Sequence, residues 1–142
     1  MSDIVPEISS LVVHSLVNQY PHLLRYWQEN NFVFSPIPLH LRRKLWRGYN
    51  QSALLAEKIA LELNMNTRSD LITRIKNSLP QSLIKDRRLR CHSLNKTFSC
   101  ATTTPPPNII LFDDVYTSGS TINSAAGALP ENCHIWGLSL AG

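Results

Sequence analysis

Several things are scarce in this chain, and each scarcity excludes a class of protein. No window of its 142 residues approaches the roughly 18 uninterrupted apolar residues of a membrane-spanning helix, so an integral membrane protein is not expected. The opening stretch MSDIVPEISS lacks the basic start and apolar core of a signal peptide, which makes the cytoplasm the expected compartment. Cysteine is sparse: Cys91, Cys100 and Cys133 are odd in number and form no C-x-x-C pair, which argues against a disulfide framework or a zinc knuckle. Cys91 and His92 are adjacent but have no further ligands beside them in a basic segment, so they read poorly as a metal site. No lysine follows a glycine as in a Walker-type loop, and the G-x-G-x-x-G fingerprint is absent.

What remains is an ordinary globular composition, 43% apolar and 17% charged, at a length that suits one domain over residues 1–142. The net charge of +4 is modest but unevenly spread. Arg42, Arg43, Lys44 and Arg47 form one basic cluster, and Lys85, Arg87, Arg88, Arg90 and Lys96 form another. Such runs are commonly solvated faces; two of them in loop-like regions also suit a polyanion such as phosphate, pyrophosphate or nucleic acid.

Apolar periodicity sets out alternating elements. Residues 7–30 read as helix, broken in two at Pro21, and make a helical N-terminal cover. FVFSPI at 32–37 reads as a short buried strand that Pro36 and Pro38 end abruptly. QSALLAEKIALELN at 51–64 is the clearest helix, with Leu55, Ile59 and Leu63 on one stripe and Asn50 as its N-cap. DLITRI at 70–75 reads as a second strand, and a polar, basic stretch follows from Lys76 to Thr104. After the stiff TTTPPP turn, NIILF at 108–112 is a third strand and TINSAAGAL at 121–129 a helix closed by Pro130. CHIWGLSL at 133–140 is the last strand. This order predicts an α/β protein with a parallel sheet and helices on both faces.

The stretch IILFDDVYTSGSTI at 109–122 carries the chemistry: an apolar strand, two acids, a bed of hydroxyls around a glycine, then a helix. In parallel sheets ligands sit beyond the carboxyl ends of the strands. Backbone N–H groups of residues 117–121 at a helix start favour an anion, Gly119 permits close approach, and Thr117, Ser118, Ser120 and Thr121 add hydroxyl donors. Asp113 and Asp114 are the candidate catalytic acids; they repel phosphate but accept hydrogen bonds from vicinal hydroxyls, so a ribose carrying a 5-phosphate suits both halves. The plainer alternative is a loop in which Asp114 caps the helix and the hydroxyl residues only form turns.

IILFDDVYTSGST resembles the phosphoribosyl pyrophosphate motif of type I phosphoribosyltransferases, with Ser118 where threonine is more usual. PIPLHLRRKLWRGYNQSALLA at 36–56 resembles the P-x-P-L-H, basic stretch and R-G-F-N-Q signature of the ComF branch, which is associated with DNA uptake in natural competence. Gln81, the arginines of 87–90 and Phe98 are similar to that branch's Q, R and A-F segment, and the resemblance spans residues 32–142. Two departures stand out: the four-cysteine zinc module of many ComF proteins has no counterpart here, and Ser93 stands where the R-x-x-N segment has asparagine.

The resemblance implies a type I phosphoribosyltransferase-like sheet and a ligand that is phosphoribosyl pyrophosphate or ribose 5-phosphate. Magnesium would be held through substrate oxygens, with no metal ligated directly by the protein. Arg43 and Arg47 become candidates for pyrophosphate, with exposed loop charge as the alternative for each. Residues 81–98 resemble the mobile catalytic loop of that fold, whose Arg87, Arg88 and Arg90 would meet phosphate oxygens; a basic surface helix is the alternative. A competence-machinery protein and single-stranded DNA are the partners implied. A free-standing phosphoribosyltransferase of nucleotide salvage or synthesis is the other reading. No residue identifies an acceptor base, although Trp136 and Tyr116 could stack on one if they are not simply core or rim residues.

Overall fold

The computed structural model of the protein describes residues 5–38, 51–75, 97–115 and 120–141. Two helices come first, α1 (Val5–Gln19) and α2 (Pro21–Glu29), separated at Tyr20. Pro21 occupies the first turn of α2, where its absent N–H has no intrahelical partner to lose. The break expected at that proline is therefore present.

Helix α2 ends in a Schellman motif. Asn31 takes φ 55°, its N–H donates to Gln28 O at 3.3 Å, and the Phe32 N–H reaches Trp27 O at 3.0 Å. The chain then passes directly into β1 (Val33–Pro36). The same device closes α3 (Gln51–Glu62). Asn64 takes φ 60°, its N–H donates to Leu61 O at 3.2 Å, and Met65 N–H donates to Ala60 O at 2.8 Å. Strand β2 (Asn66–Thr67) begins at once. Asparagine suits both turns because its short polar side chain tolerates the left-handed region better than a branched one. The Gln28 side chain donates to Leu63 O at 3.0 Å and so ties the end of α2 to the end of α3.

Strands β1, β2, β5 (Asn108–Val115) and β6 (His134–Ala141) form a four-stranded parallel sheet in the order β2-β1-β5-β6. Alternation along β5 sends Ile110 and Phe112 to one face and Ile109 and Leu111 to the other, and all four are fully buried. On the first face they meet α1, α2 and α3 through residues such as Leu16, Trp27, Leu55 and Ile59. On the second they meet α4 (Ser120–Gly127) through Ala125, together with Leu129 just beyond that helix. A strand buried on both sides reads as an unbroken apolar run, which is what NIILF is. The α/β parallel sheet with helices on both faces is thus the observed architecture.

Two strand expectations need correction. The segment 70–75 does not join the parallel sheet: the two-residue β2 takes that place, and Arg68 N–H makes a last tie to Phe34 O at 2.8 Å. Beyond it β3 (Ile72–Arg74) pairs antiparallel with β4 (Phe98–Cys100), a strand that the polar composition of 76–104 concealed. Leu71, Ile72 and Phe98 pack this ribbon onto the α4 face, with the Arg74 guanidinium 4.8 Å above the Phe98 ring. The second correction is that β5 runs to Val115, three residues past the expected end at Phe112, because β6 continues to pair with it. The proposed N-cap Asn50 lies outside the described residues.

Ile110→Ala should cost about 2–5 kcal/mol, because it empties volume at the centre of the sheet; Leu61→Ala, 73% exposed, should stay within about 0.5 kcal/mol. Urea titration compares the two. At the helix end, Asn64→Gly should be neutral or stabilising, whereas Asn64→Val should lose about 1–2 kcal/mol by forcing a branched residue into the left-handed region. Equal thermal midpoints for the Gly and Val variants would contradict that account of the turn.

Candidate functional site

The sheet order decides where a ligand can sit. Strand β1 leads into α3 on one face, and its neighbour β5 leads into α4 on the other. Connections that diverge to opposite faces leave a crevice between the carboxyl ends of those two strands. The register defines its depth. Strand β1 pairs with β5 from Val33↔Ile109 to Pro36↔Phe112, and Ile37 N–H adds a final bond to Phe112 O at 2.9 Å. Beyond that rung β1 makes no further pairing among the described residues, while β5 continues through Asp113 and Asp114 with β6 on its other side, Asp113 opposite Ser139 and Val115 opposite Ala141.

The two acids therefore occupy a step in the sheet, past the last rung shared with β1 but still within the ladder to β6. Asp113 is half-buried and follows Ile109 and Leu111 onto the α4 face. Asp114 belongs to the same strand, one residue on. Ser139, which sequence reading passed over, lies beside Asp113 in the register, a neighbour that only pairing between distant segments provides.

Helix α4 begins at Ser120, with Thr121 half-buried in its first turn. No acidic residue stands in that turn, so the positive end of the helix dipole is not already neutralised from within. The expected face of α4 is present: Ile122, Ala125 and Ala126 pack toward the sheet. Within β6, a Cβ added at Gly137 would come 3.0 Å from Ile122 Cγ2, so that position keeps the helix close to the sheet. Asp113, Asp114, Ser120 and Thr121 are thus gathered at one strand-to-helix junction. Thr117, Ser118 and Gly119, which join the two halves of the motif, lie outside the described residues, as does Tyr116.

Arg43, Arg47, Arg87, Arg88, Arg90 and Ser93 also lie outside the described residues, but the anchor points of their segments are defined. Pro38, just beyond β1, and Gln51, the first residue of α3, bound the segment 39–50. Residues 76–96 are carried by the β3–β4 ribbon, whose ends meet where Ile75 N–H donates to Thr97 O at 2.8 Å. Phe98, at the end of the stretch that resembles a mobile loop, is a buried strand residue. Trp136, on the edge strand β6, pairs with Ile110 and stacks edge-on against Trp27 (5.9 Å) and Tyr26 (6.4 Å) of α2. It is a rim residue of the helical face, away from the carboxyl edge.

Among the described residues, no group of three or more His, Cys, Asp and Glu side chains could hold a metal ion. Burial, and secondarily the neighbouring Cys100, push the Cys133 thiol above its ordinary value, which disfavours the thiolate that a soft metal needs. No described helix is long and apolar enough to cross a membrane.

No family model matches the chain, and no solved structure matches it. Curated proteins do. Competence protein F of Haemophilus influenzae is 34% identical across 75% of this chain and 49% of its own length. Competence protein ComFC of Bacillus subtilis is 36% identical across 75% of the chain and 42% of its own length. DNA utilization protein YhgH of Escherichia coli O157:H7 is 33% identical across 68% of the chain and 42% of its own length. The matched stretch thus spans about half or less of each relative. On this sequence similarity, with which the RGYNQ and DDVYTSGST motifs of the sequence agree, the chain belongs to the ComF (competence protein F) family.

Proposed function

We propose that this protein binds phosphoribosyl pyrophosphate or a related sugar phosphate in the crevice between β1 and β5, and that it serves DNA uptake during natural transformation. One observation carries the ligand reading: α3 and α4 leave adjacent strands toward opposite faces, so the acids of β5 and the un-neutralised start of α4 border the same opening. Asp113 and Asp114 accept hydrogen bonds from the ribose hydroxyls, and residues 117–121 hold the 5-phosphate. Arg43 and Arg47, from the segment after β1, and Arg87, Arg88 and Arg90, from the segment on the ribbon, meet the pyrophosphate. The names of the relatives, two for competence and one for DNA utilization, support the biological half of the proposal.

Magnesium fits as an ion carried by the substrate. A half-buried acid on β5 would suit an ion that keeps most of its waters and is held mainly through the substrate. When bound it neutralises charge on the pyrophosphate. The protein's own part is to fix the ribose through the acids and to surround the phosphates with donors. Transfer of the phosphoribosyl group to a base, with release of pyrophosphate, is the chemistry of the competing reading, a free-standing salvage enzyme.

Ribose 5-phosphate with magnesium should raise the thermal midpoint of the protein by mass action. Asp113→Asn combined with Asp114→Asn should keep the unliganded midpoint and weaken affinity by tenfold or more, since hydrogen bonds to charged groups contribute about 1.5–3 kcal/mol. Unchanged affinity by calorimetry would remove the acids from ribose recognition.

Deleting the gene in a naturally competent host should lower transformation without creating a nucleobase requirement. Charge reversal at Arg87, Arg88 and Arg90 should hurt DNA or partner binding more than ribose 5-phosphate binding, and the DNA component should fall steeply with salt. A strain that transforms normally but needs an added base would favour the salvage enzyme.

A further inference from the structure

The two edges of the parallel sheet differ. At one edge β2 is only two residues long, a length that leaves little backbone to pair. At the other edge β6 runs for eight residues, HIWGLSLA, and contains no lysine or proline. Among the described residues β6 pairs only with β5. Proteins ordinarily blunt so long an edge with charge, proline, a bulge or a covering segment. Here His134, Trp136 and Gly137 are exposed.

A groove of about 690 Å³ runs beside this edge. Its wall is formed by α1 and α2 through Leu11, Val12 and Leu23, with Tyr20 between the two helices, and its floor by all five residues from Trp136 to Leu140. Consecutive strand residues point alternately to opposite faces, so a groove that touches five in a row follows the strand's open side. Leu138 and Leu140 pack against the helical core but are only half-buried, and Leu11 and Tyr20 are 70% and 54% exposed. Among the described residues no Asp, Glu, Lys or Arg lines the groove, although the chain carries a net charge of +4.

We propose that β6 pairs antiparallel with β6 of a second copy of this chain, about a two-fold axis through Leu138, which joins the two sheets into one of eight strands. The sequence of the edge is self-complementary in that register. Leu138 faces its own symmetry mate and Trp136 faces Leu140, so the half-covered apolar residues on the helical side cover one another. On the opposite side Gly137 faces Ser139. Absence of charge matters because two identical basic molecules repel elsewhere on their surfaces, and this strip lets them approach without burying an unpaired ion. An eight-residue strand is about 26 Å long.

Sedimentation of the full chain from about 1 to 100 μM, the range that brackets a micromolar dissociation constant, should show a monomer–dimer equilibrium. Leu11→Arg, at an exposed position, should weaken it by about tenfold while keeping the parent thermal midpoint, and Trp136→Arg should weaken it more. Because Trp136 also packs on Trp27 and Tyr26, Leu11→Arg decides the matter if the other variant melts early. Hydrogen exchange adds a direct reading of the edge: dilution should deprotect amides within 136–140 and leave those of 109–112 unchanged. A monomer at every concentration overturns the proposal, as does a dimer indifferent to Leu11→Arg with no change in exchange along β6. A monomer whose β6 becomes protected only when an extended apolar peptide is added assigns the edge to another protein, and overturns it too.

Discussion

The backbone ladder between β1 and β5 is the constraint on which the rest depends. Its four rungs, Val33↔Ile109 to Pro36↔Phe112, join segments some 76 positions apart in the chain (109 − 33) and bring together the ends of two separate strand–helix–strand units. Parallel pairing puts both carboxyl ends at one edge of the sheet. The helices that follow must then go to opposite faces, since each has an apolar stripe to bury and each face of Ile109–Phe112 needs cover. The crevice is a by-product of that packing.

That ladder also explains how two adjacent carboxylates can belong to a central strand. Inside the sheet a charged side chain would have to be desolvated among apolar neighbours, at a cost that only pairing or hydrogen bonding offsets. Among the described residues Asp113 and Asp114 come after the last rung to β1, while β5 keeps its pairing with β6. A strand one residue shorter at β1's end would widen the step, and a longer one would close it. Pro36 is the last residue of β1, and with Pro38 two places on, the sequence disfavours any continuation of the strand.

The two helix ends that feed the sheet obey a local rule with a distant effect. Asn31 and Asn64 stop α2 and α3 in the left-handed conformation, and in each case the next residues enter a strand without a connecting loop. Gln28 bonds to Leu63 O, and the Asn108 side chain donates to Asn30 O at 2.8 Å, so the starts of β1, β2 and β5 are held near the same helix ends. Strand register is thereby set by the amino ends, and the carboxyl edge inherits its alignment. The β3–β4 ribbon is a separate addition on the α4 face, joined through Leu71, Ile72 and Phe98.

Local pattern alone determined much of this protein. The break at Pro21, the helices at 51–62 and 120–127, the apolar strand NIILF and the acid-hydroxyl-glycine motif were all legible, because each depends on periodicity or on residues a few positions apart. Strand pairing was not legible in that way. A two-residue strand such as Asn66–Thr67 has no period to detect, and Ile72–Arg74 looks the same whether its partner is a parallel neighbour or Phe98–Cys100. The length of β5 beyond Phe112 depended on β6, and the place of Ser139 beside Asp113 depended on register. Tertiary structure decided these points because a backbone hydrogen bond between strands is indifferent to sequence distance, and its partner is chosen by which apolar faces can be buried together.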